Sequence, residues 1–599
     1  MNAWDGLTGR ARAGLSMTPR QAYLLPHVAR WVVSLVAADL DHVPPGLGPR
    51  FISARRAAAL VPDGVVVISS GMAAHGRVSL LYQAIRDRYA AQHHPRDLTW
   101  VAVGAVGSRG WLQGTLEECA APGLVTTFIS GHVETVKALL TGADRGEREV
   151  HTLPQGEMAF LIEGQARGQF DRVSAVGVGS FLDPRVGCGS AVVPGSALQL
   201  VSVADEERLR YRLPPLDVAL LSAPYADSAG NIYARDAACL TEIHDAAHAV
   251  HANGGLVVVT VADVIEPRAE ETAYVPAGVV DHIVVHPGNE QTASVPQRRA
   301  WPMFTVGKPV DADRALADLR LINGTLGITP RRGAADALLA RLAAAVVCES
   351  VEPGAVTNIG VGQPELVATV LHETGLDADL IQTSEAGVWG GIPASGVFFG
   401  AAVNPVRQES SAWMFHTYEE RLDVAVLGML EVDSGGDVNL SRRGPVPSTY
   451  VGCGGAPNIA HVARTVVFVG SFVHGARVRV RDGSVRVSGG GEAKFVDAVR
   501  EASINGRRAL GRGQNLWYAT HLGLFRLTER GLELVRVMPG VDIGWDLVAR
   551  STARIVLPPG GAAAVPLVPG TIVTGEGFTL AVGARPLGLA ADAAGRNLG

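Results

Sequence analysis

The chain of 599 residues has few cysteines, almost no lysine and no long apolar run. Its five cysteines are far apart and form no Cys-x-x-Cys pair, so the sequence predicts neither a disulfide framework nor a zinc ribbon. No apolar stretch reaches the ~18 residues that a membrane span requires. The net charge of -6 lacks the basic field of a nucleic-acid-binding protein. We therefore expect a cytoplasmic protein that binds neither membranes nor nucleic acid.

Only three of the 52 basic residues are lysines, at positions 137, 308 and 494, so the other 49 are arginines. An anionic ligand must therefore be held mainly by arginine or by backbone N–H groups. Hydrophobic residues make up 47% of the chain and charged residues 18%, which is typical of a well-packed globular protein. At ~150 residues per domain the length allows about four domains, and because α/β units run larger we expect two or three.

The chain repeats part of its own sequence. The stretch Leu216–Ile232 begins LDVALL and ends DSAGNI, and it returns 206 positions later as Leu422–Val438, which begins LDVAVL and ends DSGGDV. Both ends share this offset, so the match needs no gap. A second pair of similar stretches, which begin at residues 62 and 352, is offset by 290 positions. Each copy has the pattern of a buried strand followed by a turn, so the sequence predicts two related halves.

Strands that alternate with helical patterns predict parallel sheets with right-handed crossovers. We therefore expect an α/β protein with two homologous open domains in tandem, each with a largely parallel sheet. The predicted boundaries are an N-terminal extension (1–49), a first half (50–290), a linker (291–329), a second half (330–557) and a tail (558–599). The tail is rich in Gly, Ala and Pro, and we expect much of it to be mobile.

The most distinctive local feature is a single carboxylate in a glycine-rich turn. An apolar approach over residues 378–381 leads to Glu385, which is followed by Gly390 and Gly391. Glycines let a ligand approach the backbone and leave N–H groups free to point at it. A carboxylate in such a turn suits a nucleophile that forms an acyl or phosphoryl intermediate. The alternative is a turn whose glutamate caps a helix or is solvated.

Two further glycine loops lie in the same half of the chain. One contains Asn358, Gly360 and Gly362 and precedes a helical pattern, and the other contains Gly454 and Gly455. A strand, a Gly-x-Gly turn and a helix start can form an anion or oxyanion site from backbone amides, although such a turn also serves tight packing alone. Together the three loops favour one ligand cleft at the carboxyl ends of parallel strands.

Three histidines at positions 244, 248 and 251 are spaced so that they share one face of a helix, as in the His-Glu-x-x-His zinc motif. Asp245, however, stands where that motif has its general-base glutamate, and no further ligand is evident downstream. We interpret the segment as a crossover helix between two strands and predict no metal site.

The motifs together resemble those of family I coenzyme A transferases of the single-chain propionate/acetate type, in which two subunit-like halves are fused. The most specific stretch is Glu385–Pro393, which is similar to the family's block of a glutamate followed by two glycines. The resemblance covers roughly residues 55–550, and its other stretches are 151–156, 177–184, 281–285, 358–362, 399–404, 453–455, 525–529 and 539–542.

The resemblance implies a transferase that moves coenzyme A (CoA) from a short-chain acyl-CoA to a carboxylic acid. Glu385 would be the nucleophile, by way of an acyl-glutamyl anhydride and a glutamyl-CoA thioester. It implies CoA as substrate, no permanently bound cofactor and no metal, and it suggests a homo-oligomer. By their place in the motifs, the oxyanion and substrate-binding candidates are Asn358, Gly360, Gly362, Gly390 and Gly391.

The phosphates of CoA require donors, and the candidates are Gly454, Gly455 and Arg442. A solvated loop arginine is the alternative for Arg442, which follows the Asp-Ser-Gly-Gly turn that begins at Asp433.

One segment departs from the resembled family. Glu419-Glu420-Arg421 replaces a run of three glycines, and we expect these bulky charged residues to lie beside the cleft. Two other functions therefore stay open. One is an acyl-CoA hydrolase on the same scaffold, in which water reaches the intermediate before a second acid does. The other is a non-catalytic acyl-CoA-binding paralogue, for which the retained Glu385 would be unnecessary.

Overall fold

The structure is a computed structural model that describes residues 38–107, 113–293, 295–326, 329 and 332–589. Most of the predicted N-terminal extension (1–37) and the end of the predicted tail (590–599) lie outside the described residues. Within the described part, no helix combines the length and the apolar character needed to cross a membrane.

The first half is built on a sheet of seven parallel strands. Their spatial order is β11-β10-β8-β1-β2-β3-β4, and the short β9 pairs antiparallel with β8. The central strands are apolar runs that lie buried on both faces, as parallel strands covered by helices require. The first-half strands are β1 Val66–Ser69, β2 Leu98–Ala102, β3 Val125–Ser130, β4 Glu149–Thr152, β5 Asp171–Ser174, β6 Val201–Val203, β7 Leu209–Arg212, β8 Val218–Ala226, β9 Ile232–Tyr233, β10 Leu256–Val264, β11 His282–Val285, β12 Glu290–Thr292 and β13 Val295–Pro296.

The second half is built on a sheet of ten strands in the order β19-β16-β15-β14-β20-β23-β27-β28-β29-β30. Its central five strands, from β15 to β27, run parallel, and antiparallel strands flank them on both sides. The second-half strands are β14 Ala355–Ile359, β15 Leu380–Ser384, β16 Val388–Trp389, β17 Ile392–Pro393, β18 Ala402–Val403, β19 Arg407–Gln408, β20 Val424–Gly428, β21 Glu431–Asp433, β22 Val438–Asn439, β23 Thr465–Val469, β24 Arg477–Arg481, β25 Ser484–Ser488, β26 Phe495–Val496, β27 Asn515–Ala519, β28 Gly523–Thr528, β29 Gly531–Val537 and β30 Ile555–Val556.

Helices cover the two large sheets, so the prediction of two tandem α/β halves with largely parallel sheets is confirmed. The described α-helices are α1 Ala54–Leu60, α2 Ser79–Gln92, α3 Lys137–Asp144, α4 Gln155–Gln165, α5 Ile243–Ala252, α6 Ala312–Leu326, α7 Ala334–Ser350, α8 Glu365–Glu373, α9 Ser411–Glu420, α10 Ala456–Val462, α11 Gly506–Gly511 and α12 Gly570–Thr574.

The internal repeat has a structural counterpart in one recurring contact. The carboxylate of Asp217, just before β8, accepts a hydrogen bond from the N–H of Val66 at 2.8 Å. The carboxylate of Asp423, just before β20, accepts one from Val356 at 2.9 Å. The two aspartates are 206 positions apart and the two donors are 290 apart, which are the two offsets found in the sequence. The repeated residues therefore tie the same pair of strands together in each half.

The segment predicted as a linker contains the 15-residue helix α6. The side chain of Asn323, on this helix, donates to the carbonyl of Ser395 at 2.8 Å and accepts from the N–H of Val397 at 2.9 Å. Ile322 is buried in an apolar cluster with Phe398. This part of the segment is therefore docked on the second half.

The described part of the tail, residues 558–589, is anchored to the second half by a few buried apolar residues, while most of its residues are exposed or half-buried. Val568, Ile572 and Val573 are 1% exposed and belong to the core of the second half. The Arg341 guanidinium on α7 donates to the carbonyls of Ile572 at 2.7 Å and Val573 at 2.9 Å. Composition alone misses this packing because a few apolar residues among many small ones are enough to anchor a segment.

We expect Ile572→Ala to lower the free energy of unfolding by about 3 kcal/mol, because a fully buried branched side chain leaves a cavity. Leu567→Ala is the matched control in the same segment, since Leu567 is 60% exposed, and it should change stability by less than about 0.5 kcal/mol. Urea unfolding followed by circular dichroism measures both. Equal effects of the two substitutions would contradict the docking of the tail.

Candidate active site

Glu385 follows the carboxyl end of β15, at the start of the tight turn that leads into β16. The turn depends on Gly387, which has φ of 96°, and a Cβ atom there would lie 1.9 Å from the carbonyl oxygen of Glu409. Gly387 also donates to the carbonyl of Ser384 at 3.0 Å and accepts from the N–H of Glu409 at 2.8 Å. A larger residue would clash with this backbone, so the close approach fixes where the glutamate stands.

The carboxyl group of Glu385 is buried, and in the described residues no cation pairs with it. Burial raises the pKa of Glu385, because desolvation disfavours the charged form. Two donors act against this rise, namely its own backbone N–H and the side chain of Asn358. The Asn358 Nδ2 atom lies 3.5 Å from the Glu385 Oε2 atom, at the long limit of a hydrogen bond. The site therefore holds a poorly solvated carboxyl group with one side-chain donor aimed at it.

Tyr418, on the last turn of α9, fixes the orientation of Asn358. The Thr383 hydroxyl donates to the Thr357 carbonyl at 2.7 Å, so its single proton is used there. The Tyr418 hydroxyl, 2.8 Å from Thr383 Oγ1, therefore donates to it, and Asn358 Nδ2 donates to the Tyr418 oxygen at 3.1 Å. This chain directs the amino end of the Asn358 amide, rather than its oxygen, toward the glutamate.

Gly360 and Gly362 lie in the loop that follows β14, next to the turn of Glu385. The N–H of Gly360 donates to the carbonyl of Val426 at 2.8 Å, so it continues the sheet and is not free for an oxyanion. Gly362 has φ of 94°, and among the described residues its N–H makes no hydrogen bond. Of these two predicted donors, only Gly362 has an unused amide in this conformation.

Gly390 and Gly391 serve the shape of the turn. The N–H of Gly390 donates to the carbonyl of Gln382 at 2.8 Å and is therefore occupied. Gly391 has φ of 78°, and a Cβ atom there would lie 2.5 Å from the carbonyl oxygen of Val403. Gly390 has φ of 73°, and a Cβ atom there would lie 2.6 Å from the side chain of Val406, so both positions favour glycine. Their assignment to substrate stays a prediction.

The predicted CoA-binding glycines lie where the second half meets the first. The N–H of Gly454 donates to the carbonyl of Gly131 at 2.7 Å, and its carbonyl accepts from the N–H of Gln155 at 3.0 Å. A Cβ atom at Gly455 would lie 3.3 Å from both Gln155 Oε1 and Phe415. These contacts give the two glycines a packing role, and the geometry adds no support for phosphate binding.

Arg442 is already occupied. Its guanidinium donates to the carbonyl oxygens of Gly444 at 2.8 Å and Pro445 at 3.1 Å, and it lies 3.7 Å from the carboxylate of Glu501. The side chain therefore stabilises its own loop, and its assignment to CoA phosphates also stays a prediction without support from the geometry.

The expectation that Glu419, Glu420 and Arg421 lie beside the cleft is wrong. Helix α9 runs back along the sheet, so these three residues lie near the amino ends of the parallel strands. Arg421 donates to the carbonyl of Gly354 at 3.1 Å, just before the amino end of β14. Glu419 pairs with Arg172 of the first half. In the described residues no hydrogen bond or ion pair joins any of the three to Glu385. The replaced glycines therefore do not by themselves argue against a working site.

Sequence reasoning missed that the first half contributes to the site. The N–H of Thr241 donates to the carbonyl of Ala386, the residue after Glu385, at 3.2 Å. Met72 and Ala386 belong to one small buried apolar cluster. What marks Thr241 is its backbone conformation, because a φ of 51° is unusual for a β-branched residue. That conformation cannot be predicted from the sequence. The site thus lies between the two halves.

The three histidines of the metal alternative lie on α5, as predicted for a crossover helix. The rings of His244 and His248 are 4.4 Å apart, and His244 Nδ1 is 3.0 Å from the carboxylate of Asp245. Over the described residues, no group of three or more histidine, cysteine, aspartate or glutamate side chains is arranged to hold a metal ion.

Known proteins with similar sequences and folds point to one family. Residues 51–286 match the family model described as coenzyme A transferase. The chain is 30% identical to caffeate CoA-transferase of Acetobacterium woodii over 512 residues, which cover 83% of this chain and 93% of that protein. It is 28% identical to acetate CoA-transferase YdiF of Escherichia coli K12 over 528 residues, which cover 86% of this chain and 94% of that protein.

The crystal structure of the acyl-CoA transferase YdiF apoenzyme from Escherichia coli O157:H7 superposes with a TM-score of 0.77 at 25% sequence identity, covering 90% of this chain and 99% of that one. The fold and these similarities thus define an α/β enzyme that handles CoA esters. The chain belongs to the family I coenzyme A transferases, and coenzyme A is its substrate.

We expect Tyr418→Phe to lower the free energy of unfolding by about 1–2 kcal/mol, because buried Thr383 and Asn358 lose their shared partner. Tyr89→Phe is the control, since the Tyr89 hydroxyl donates to a single carbonyl, that of Pro122, in exposed surroundings, and it should cost less. Thermal and urea unfolding measure the two variants. A Tyr418→Phe protein as stable as the parent would contradict the hydrogen-bonded chain.

Proposed function

We propose that this CoA-transferase moves CoA from a short-chain acyl-CoA to a second carboxylic acid through covalent intermediates on Glu385. The observation that carries the proposal is the buried carboxyl group of Glu385, which pairs with no cation among the described residues and lies in a backbone-held turn between the two halves. The names of the similar proteins, caffeate and acetate CoA-transferase, support carboxylic acids as acceptors.

The reaction begins when a Glu385 carboxylate oxygen attacks the thioester carbon. The carbon–sulfur bond breaks, CoA leaves as a thiolate, and an acyl-glutamyl anhydride remains. The thiolate then attacks the glutamyl carbonyl and releases the first acid as a carboxylate. A second carboxylate reverses the two steps and leaves as its own CoA ester, which restores Glu385. Every electron pair is accounted for without a metal or a redox partner.

Both tetrahedral intermediates need donors for their oxyanions. Asn358 Nδ2 already faces Glu385 Oε2, so it suits the oxyanion that forms on the glutamyl carbonyl when thiolate or acid attacks there. The N–H of Gly362, on the adjoining loop, has no hydrogen-bond partner in the described part of the chain and is the candidate donor for the oxyanion of the substrate acyl group. Losing one such donor typically costs about 3 kcal/mol of barrier.

Exclusion of water favours transfer over hydrolysis. Glu385 is 8% exposed, and the small apolar residue Ala386 beside it is fully buried. An intermediate formed on this side chain would meet a second acid only if that acid enters the same sheltered cleft, and water enters with difficulty. A solved structure of YdiF from Escherichia coli O157:H7 is a thioester complex with CoA, which supports an intermediate that persists.

Intact-protein mass spectrometry after mixing with acetyl-CoA, propionyl-CoA and other short acyl-CoAs, without acceptor acid, tests the proposal. We expect a covalent CoA adduct that maps to Glu385 and is discharged by added carboxylate, because the thioester carbonyl stays reactive toward acids. Glu385→Gln should form no adduct while still binding CoA, since an amide of the same shape is not nucleophilic.

The control is Glu409→Gln, a half-buried carboxylate close to the same turn that pairs with Arg407 at 2.7 Å, and it should keep the adduct. Discharge by water at the same rate with or without acid would favour the hydrolase. Binding of CoA esters with no adduct at all would favour the non-catalytic paralogue.

The rate of adduct formation should rise with pH. The reactive form is the carboxylate, and burial raises the pKa of Glu385, so a larger fraction is protonated at low pH than for an exposed glutamate. Asn358→Ala removes a donor that lowers this pKa, and it should move the midpoint of the rate profile to higher pH. Quenched-flow mass spectrometry from pH 5 to 8.5 measures both profiles. A midpoint that moves downward in Asn358→Ala would contradict the assigned contact.

A further inference from the structure

Glu242 is a buried carboxyl group to which the reaction above gives no role. It is 2% exposed, and in the described part of the chain no cation pairs with it. Its Oε1 atom accepts a hydrogen bond from the N–H of Gly71 at 3.1 Å. Burial raises its pKa to about 8, so the group is largely neutral at pH 7. A buried polar group kept at this cost needs a structural or functional reason.

The two segments that Glu242 joins both touch the catalytic turn. Gly71 precedes Met72, which packs in the same apolar cluster as Ala386. Thr241 precedes Glu242 in the chain, and its N–H donates to the carbonyl of Ala386 at 3.2 Å. Ala386 therefore receives two supports from the first half, and one carboxyl group ties those supports to each other.

The second support is strained and is doubly anchored. Thr241 has φ of 51°, a left-handed conformation that β-branched residues rarely adopt. Its carbonyl accepts from the N–H of Ser411, at the start of α9, at 2.8 Å. Strain of this kind persists only where surrounding contacts over-determine it, and it clusters at functional sites.

We infer that Glu242 is a positioning residue that holds Glu385 in its reactive place by tying the Gly71 and Thr241 segments of the first half to the catalytic turn. This inference rests on the proposed function. Glu242 acts through the backbone of Ala386 and touches no substrate. The second half supplies the nucleophile, and the first half fixes the position of its backbone.

Three substitutions at Glu242 test the inference, all read in the full-length protein. Glu242→Met keeps the length and removes the acceptor for Gly71; since a shift of about 1 Å in a reacting group can cost ~100-fold in rate, we expect kcat to fall at least ~10-fold. KM for acyl-CoA should change less than ~2-fold, because the substrate-binding surface is intact. Glu242→Gln keeps an acceptor oxygen and should retain kcat within ~3-fold. Glu242→Asp is shorter by one methylene, and its kcat should lie between those of Glu242→Met and Glu242→Gln.

Glu117→Leu is the matched control, because Glu117 is also a buried first-half carboxyl group that accepts a backbone N–H, that of Ala138 at 2.7 Å. It should lower thermal stability while kcat stays within ~2-fold. Unchanged kcat in folded Glu242→Met, or equal losses in Glu242→Met and Glu242→Gln, would overturn the inference. If Glu242→Met does not fold, the kcat values of Glu242→Asp and Glu242→Gln are compared instead. A larger loss in Glu242→Asp supports the inference, and equal losses overturn it.

A second readout separates this inference from the proposed function. Hydrogen–deuterium exchange of the peptide that contains Ala386 and Gly387 should be faster in Glu242→Met than in the parent, and unchanged in Glu117→Leu. This measurement needs no turnover. If the parent forms no adduct on Glu385, the proposed function fails, while exchange still reports whether Glu242 holds the turn. Equal exchange in Glu242→Met and parent would overturn the positioning role itself.

Discussion

The burial of the Glu385 carboxyl group, with no cation beside it in the part of the chain that the structure describes, is the constraint on which the site depends. An ion at Glu385 would be costly in an apolar surrounding, and an arginine partner would stabilise the carboxylate and reduce its reactivity. The structure surrounds Glu385 instead with small residues and backbone and gives it the amide of Asn358, which Tyr418 orients. The group stays poorly solvated, yet among the described residues the only side-chain donor that reaches it is neutral.

The duplicated fold explains how such a site is built. In the first half Val67 pairs with Trp100, and in the second half Thr357 pairs with Gln382. By this register the counterpart of the glutamate position in the first half is an apolar residue, three places after Trp100. The carboxyl edge of the second sheet therefore carries the proposed nucleophile, while loops of the first half contact its backbone. A site shared by two halves couples their relative position to reactivity.

Several arginines serve as structural donors in this lysine-poor chain. The guanidinium of Arg341 holds the tail through two carbonyls, Arg442 holds its own loop, and Arg421 donates to a carbonyl at the amino end of a strand. The planar guanidinium group, with its five N–H donors, suits these contacts because it can bind two carbonyl oxygens at once. Sequence reasoning that counts arginines as candidates for a phosphate therefore overestimates how many are free.

The sequence by itself determined the two related halves, the parallel sheets and the place of Glu385 in a glycine turn, because strand periodicity and glycine requirements are local. Only the tertiary structure decided the rest. Contacts between distant segments joined Tyr418 to Asn358, brought Thr241 to the turn of Glu385, and used the amide of Gly360 in the sheet. They also carried Arg421 away from the cleft. Such outcomes depend on which backbone groups already have partners, and that is known only when the chain has folded on itself.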